Sequence, residues 1–209
     1  MGNALAAFLM LAAATAQPVS PREVVQAAVG RVIAVMEEAH DDQTAAARTA
    51  RRGGDHGHAE IRRIVAELFD FDEMARRSLS RHWAARSSAE RAEFVQLFTT
   101  LFERAYLGRI QSYAGGKIVY LGEEIDGPFA AVKSRVVTGR RPETALDYRL
   151  LLKDSQWKVY DVLVDGVSFV STYRAEFNRV IQSSSYGALL QRMREKSFSA
   201  VTSLRRSPS

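Results

Sequence analysis

Cysteine is absent from the 209 residues. That excludes a disulfide scaffold, a thiol nucleophile and thiolate metal sites. Histidine is scarce, with four in the chain, and only Asp55-His56-Gly57-His58 brings two together. That stretch is polar and glycine-rich, so a solvated loop is expected there rather than a metal site. No apolar run reaches the length of a membrane-spanning helix; the longest, residues 4–14, is too short. There is no phosphate-cradling glycine loop and no Ser-His-Asp order. The net charge of +5 is a small excess. Its Lys and Arg are scattered among acids instead of being striped with aromatics, which argues against nucleic acid as a partner.

What remains is a globular chain with much apolar surface and little chemistry. Ala14-Thr15-Ala16 after the apolar run forms the small-x-small pattern of a signal-peptidase site, although no Lys or Arg precedes the run. The expected division is a signal peptide over 1–16, one α+β domain over 17–196 and a flexible basic tail over 197–209. Ser20-Pro21-Arg22-Glu23 is a capping box with proline at the first helical position. Residues 41–57 are polar, with Arg51-Arg52-Gly53-Gly54 at the centre, and read as an excursion between helices. Asp70 with Glu73, and Ser87 with Glu90, start two further helices; Phe69 and Met74 are placed as a hydrophobic staple. The helix after Ser87 carries the longest apolar face of the protein, Phe94, Leu97, Phe98, Leu101, Phe102, Ala105, Tyr106, Ile110 and Tyr113.

Four strands follow, at residues 117–123, 129–138, 143–153 and 157–167. Their connections are short and turn-like, which implies antiparallel neighbours. Two helices close the chain, at about 168–182 and 186–196. The fold class is α+β: a four-stranded antiparallel sheet with helices packed on one face. In the last strand, plain alternation sets Trp157, Val159, Asp161, Leu163 and Asp165 on one face and Lys158, Tyr160, Val162 and Val164 on the other. Both faces are apolar apart from the two aspartates, so the strand needs cover on both sides. Asp161 and Asp165 could form an acid/base pair. Pairing with Arg149 or with a helix N-terminus, at the wetter edge of the strand, is the expected reading. His82, between Arg81 and Trp83, reads as a packing residue at a helix end.

FDFDEMARRSLSRHW, starting at Phe69, resembles the FDF-x-x-MA-x-x-x-LGR-x-W signature of the MlaC family of periplasmic phospholipid-binding proteins, also called toluene-tolerance components of an ABC transporter. The resemblance continues through ERAEFVQLFTTLFERAY from Glu90, LDYRLLLKDSQWKVYDVLVDGVSFVSTYRAEF from Leu146, and Leu189, Leu190 and Met193. Ser80 departs from the pattern, standing where the family has glycine. The resemblance implies a monomeric periplasmic carrier that is not an enzyme, has no cofactor, and holds phospholipid as cargo. Its implied partners are an outer-membrane lipoprotein–porin complex and an inner-membrane ABC transporter with an MCE-domain subunit.

On that basis the expected pocket lining is Phe98, Phe102 and Tyr106 from the long helix, with Val132, Val136, Tyr148, Leu150, Leu152, Tyr160, Val162 and Val164 from the strands. Val167, Val170 and Tyr173 are expected to close one side. Arg81, Arg149 and Arg174 are candidate headgroup contacts. The alternatives are a carrier of generic apolar solutes, a small-molecule enzyme using Asp161, Asp165 and His82, and an adaptor with a solid core.

Overall fold

Three helix starts carry the side chains that the sequence provides for them. The computed structural model describes residues 19–45, 50–110, 116–138 and 141–195, with side chains described outside 39–56, 106–115 and 138–141. The expected signal peptide and basic tail lie outside the described residues, as do Tyr113 and residues 139 and 140 of the turn at 139–142. Helix α1 (Pro21–Ala45) opens on a reciprocal capping box. The Glu23 amide donates to Ser20 Oγ at 3.2 Å, and the Ser20 amide donates to Glu23 Oε2 at 2.9 Å. Helix α4 (Ser88–Ile110) repeats the device with Ser87 and Glu90, at 3.2 and 2.8 Å. Helix α3 (Phe71–Leu79) has Asp70 as its cap, accepting from the Glu73 amide at 2.9 Å. Hydrogen bonds from Arg76 and then Arg77 hold the Glu73 carboxyl below the usual range.

One local reading is corrected. Residues 41–57 were expected as a polar excursion, but α1 runs to Ala45 and helix α2 (Ala50–Leu68) begins before Gly53. Each glycine costs a helix about 1 kcal/mol. Ile61, Ile64, Val65 and Leu68 are buried and fix the helix from its far end. Propagation from a fixed nucleus adds one hydrogen bond per residue and carries the helix back through the glycines. Arg31 of α1 also pairs with Glu67 of α2 at 2.8 Å.

The sheet has five strands in sequential order, each antiparallel to the next: β1 (Lys117–Asp126), β2 (Phe129–Thr138), β3 (Arg141–Lys153), β4 (Gln156–Val164) and β5 (Val167–Ser168). Four were expected. The fifth is a two-residue return after Asp165-Gly166, both at positive φ (48° and 79°), as a tight hairpin turn of the primed type requires. Asp165 also binds β3, its amide donating to Ala145 O and its Oδ1 accepting from the Ala145 amide, both at 2.9 Å. After β5 come α5 (Phe169–Ser183) and α6 (Tyr186–Arg194).

Helices α1 and α2 lie over the sheet face that carries Ala130, Val132, Tyr148 and Leu150. Helices α3 to α6 gather beside β4 and bury their own apolar faces against α2. The join is the α2–α3 junction: Phe69 runs parallel to β4 at Val159, and the Asp70 amide donates to Val159 O at 2.8 Å.

Ser80, where a family glycine was expected, has φ 52° and ψ −124°. That backbone region favours glycine and costs a residue with a Cβ about 1–3 kcal/mol. Ser80→Gly is therefore expected to stabilise the protein by about 1 kcal/mol after glycine's greater unfolded-state entropy is subtracted. A rise in the urea midpoint with an unchanged slope would show it; a fall would remove the strain argument.

Candidate functional site

The apolar interior of the described residues is two clusters, not one. The first is helical, built from Ile61, Val65, Met74, Phe94, Phe98, Leu101, Phe102, Phe169, Val170, Tyr173, Phe177 and the apolar face of α6. The second lies between α1, α2 and the sheet and contains Val25, Ala28, Ile64, Leu68, Ala130, Val132, Tyr148, Leu150, Trp157 and Val159. Val32, Val35 and Phe69 pack against both. A domain of this size ordinarily has one contiguous core with smaller satellites. Here a larger helical cluster and a smaller one under α1 and α2 meet along a seam of half-buried residues.

The expected lining residues divide between these clusters. Phe98, Phe102, Val170 and Tyr173 belong to the helical cluster and Val132, Tyr148 and Leu150 to the sheet cluster. Tyr160 packs on the first and Val162 on the second. Val136 is buried and Val164 half-buried, and the side chain of Tyr106 lies outside the described residues. Two placements are corrections: Leu152 is 41% exposed and Val167 47% exposed. Leu152 stands at the sheet end beside the β3–β4 turn, and Val167 sits on the two-residue edge strand, where neither finds a second layer. Burial pushes the Tyr148 phenol above its ordinary pKa and that of Tyr120, on the same sheet face, up to about 12.

Alternation along β4 is also corrected. Tyr148 pairs with Val162 and Arg149 with Asp161, but Leu150 pairs with Val159, so Tyr160 is an extra residue in a bulge. Trp157 and Val159 therefore share the α1/α2 face with Val162, and Tyr160 turns to the other face. There Arg77 of α3 lies over its ring at 4.1 Å.

The bulge also sets the place of Asp161, which is buried (2% exposed) rather than at a wet edge. Its carboxylate accepts from the Val170 amide at 3.0 Å, from Ser168 Oγ at 2.6 Å and from Arg149 at 3.4 Å. Ser168 in turn caps α5 by accepting from the Ser171 amide at 3.0 Å. A charge at a helix N-terminus, with backbone amides as partners, is a stable arrangement. Asp161, Asp165 and His82 do not converge: Asp165 serves the β4–β5 turn, and His82 meets Asn178 at 3.1 Å. Among the described residues no group of three His, Asp or Glu could hold a metal ion, and no helix is long and apolar enough to cross a membrane.

At the end of the seam an open cleft of about 290 Å³ is lined by Phe69, Asp70, Phe71, Asp72, Lys153, Asp154, Gln156 and Lys158, with Ala66 at its side. Sequence reading missed it, because its residues come from α2, α3 and the β3–β4 hairpin. The available signal was the pair of phenylalanines flanking a cap aspartate. Arg81, Arg149 and Arg174 do not line this cleft: Arg81 donates to Asn178 at 2.5 Å, Arg149 faces Asp161 and Arg174 donates to Ser171 Oγ at 3.2 Å.

The sequence profile of the MlaC protein family matches residues 26–195. This chain belongs to the MlaC family. The match spans both clusters except Val25, and the bulged strand and the cleft. The fold is also that of the phospholipid-binding protein from Ralstonia solanacearum, solved in complex with a phospholipid. The TM-score is 0.69 at 22% identity, over 90% of this chain and 99% of that one. No curated protein sequence matches. Of the segments that carry the family resemblance, the FDF stretch is now located at the α2–α3 junction. Phe69 and Phe71 stack at 5.9 Å, and both rings meet Phe102 of α4, at 5.2 and 5.3 Å.

Proposed function

We propose that this protein is a periplasmic phospholipid carrier. It holds acyl chains in the seam between the helical cluster and the sheet cluster and passes lipid between membrane complexes. The observation that carries the reading is the divided core: two apolar clusters, which share α2, meet through the half-buried Val32, Val35 and Phe69, so the join between them is where acyl chain can enter with the least loss of buried contact. MlaC membership and a structural relative that holds a phospholipid support the same reading. The lining is formed by Phe98, Phe102, Val132, Val136, Tyr148, Leu150, Val162, Val164, Val170 and Tyr173, with Tyr160 at one margin.

Acyl burial is worth about 0.8 kcal/mol per CH₂. Two tails of about fifteen such groups each therefore cost on the order of 20 kcal/mol to expose to water. Release into solvent is not a workable step, so transfer is a handoff between apolar sites. The small free-energy difference between donor and acceptor sets its direction. The reading assigns the two handoff partners as an outer-membrane lipoprotein–porin complex and an inner-membrane ABC transporter with an MCE-domain subunit. No catalytic residue is required. Asp161, Asp165 and His82 each have a separate structural task and do not form the site that the enzyme alternative requires of them.

Purified protein, extracted and analysed by mass spectrometry, is expected to yield phospholipid in about equimolar amount. After delipidation it is expected to take lipid up again from liposomes. Neither recovery nor uptake would end the carrier reading.

A further inference from the structure

The cleft at Phe69 and Phe71 combines features that a plain groove lacks. Its floor is the Phe69–Phe71 stack, whose other side is Phe102 in the helical cluster. The same Phe69 packs on the sheet cluster, so the cleft opens where the seam reaches the surface. Its walls carry both signs of charge. Lys153 Nζ donates to Asp70 Oδ2 at 2.8 Å, and Lys158 Nζ donates to Glu67 O at 2.6 Å. An ammonium has three donors, so each lysine keeps two for a ligand while its position is held. Asp70 is committed to Lys153 and to the Glu73 amide of α3. Asp72 and Asp154 stand exposed at the rim, close enough to act on the charge of Lys153. The volume, about 290 Å³, lies at the lower end of small-molecule clefts, near 300–1,000 Å³.

We infer that this cleft is a headgroup site for a phosphodiester bearing a primary amine, with Lys153 and Lys158 taking the phosphate and Asp72 and Asp154 the ammonium. The assignment rests on the carrier reading, because the headgroup is placed by tails lying in the seam behind Phe69 and Phe71. Two lysines alone would favour any anionic headgroup. The two free carboxylates repel a net negative one and pair with an amine, which selects a zwitterionic lipid over an anionic one of equal tail length. Exposed charge pairs of this kind are weak, so the expected discrimination is about threefold and not a hundredfold.

Delipidated protein is incubated with vesicles of equal phosphatidylethanolamine and phosphatidylglycerol, and bound lipid is read by mass spectrometry. The wild type is expected to enrich the ethanolamine lipid about threefold. Asp72→Asn with Asp154→Asn should bring the ratio to that of the vesicles. Lys158→Gln should lower uptake of both phospholipids relative to diacylglycerol, which has tails and no phosphate. Lipid uptake with no ethanolamine preference, or a preference untouched by the Asp variants, overturns the headgroup assignment and leaves the carrier standing. Absence of uptake from every vesicle overturns the carrier reading instead. The cleft is then tested alone with glycerophosphoethanolamine, which has the headgroup without tails. Amide shifts at Phe71 and Lys158 support the site, and their absence overturns it. Equal shifts with inorganic phosphate overturn the amine half of the assignment.

Discussion

Phe98→Ala is expected to destabilise the delipidated protein by about 3–5 kcal/mol, the usual loss for a fully buried phenylalanine. Phe98 is 0% exposed. Its ring meets Phe94, Phe169, Tyr173 and Phe177 at centroid distances of 6.2, 5.8, 6.3 and 6.3 Å. Three of these contacts are edge-to-face, a geometry that adds to the area term. The truncation removes the hub of a five-ring cluster built from α4 and α5, and rigid neighbours cannot collapse into the void. Against a total stability of about 5–15 kcal/mol, that is a large fraction. The carrier reading adds a second expectation. An acyl chain in the seam fills part of the void, so lipid-loaded protein should lose less than delipidated protein in urea unfolding. Equal losses in the two forms would place Phe98 in inert core and remove it from the lining.

Asp161→Ala is expected to cost about 2–4 kcal/mol and to lower lipid load. The carboxylate accepts from the Val170 amide and Ser168 Oγ, and all three lie at the start of α5. Deleting it leaves a buried amide and a hydroxyl without their acceptor, at about 1–3 kcal/mol, and removes a favourable charge from a helix N-terminus. The ion pair with Arg149 adds little, because the Arg149 side chain is 46% exposed and water screens it. Arg149→Ala is therefore expected to cost under about 1 kcal/mol. If the two substitutions cost the same, the ion pair is the main term and the capping argument fails. Helix α5 carries Val170 and Tyr173, so loosening its start should reduce phospholipid recovered by mass spectrometry more than Arg149→Ala does.

The two effects differ in how visible they were beforehand. Phe98 stands out in the sequence because Phe94, Phe98, Leu101 and Phe102 recur at helical spacing, and that period is a local property. Asp161 was placed on the right strand, with the right candidate partners, Arg149 or a helix N-terminus. Its burial was not legible, because it follows from the bulge at Tyr160, and a bulge is a relation between β3 and β4. The same extra residue moved Tyr160 away from Val162 and brought Trp157 and Val159 to the α1/α2 face. Leu152 and Val167 were misplaced for a related reason. Their apolar character and alternation are those of inward residues, but what covers a strand end is decided by distant helices.

Sequence alone determined the caps at Ser20, Asp70 and Ser87, the antiparallel order of the strands and the family signature around Phe69. Each depends on residues within a few positions of one another, where hydrogen bonds and steric limits act without the rest of the chain. Tertiary structure decided the helical passage through Gly53 and Gly54, the bulge register of β4, the division of the interior into two clusters and the mixed-charge cleft. These depend on pairings across tens of residues. Lys158 meets Glu67, and Lys153 meets Asp70, only because the β3–β4 hairpin is folded against the α2–α3 junction.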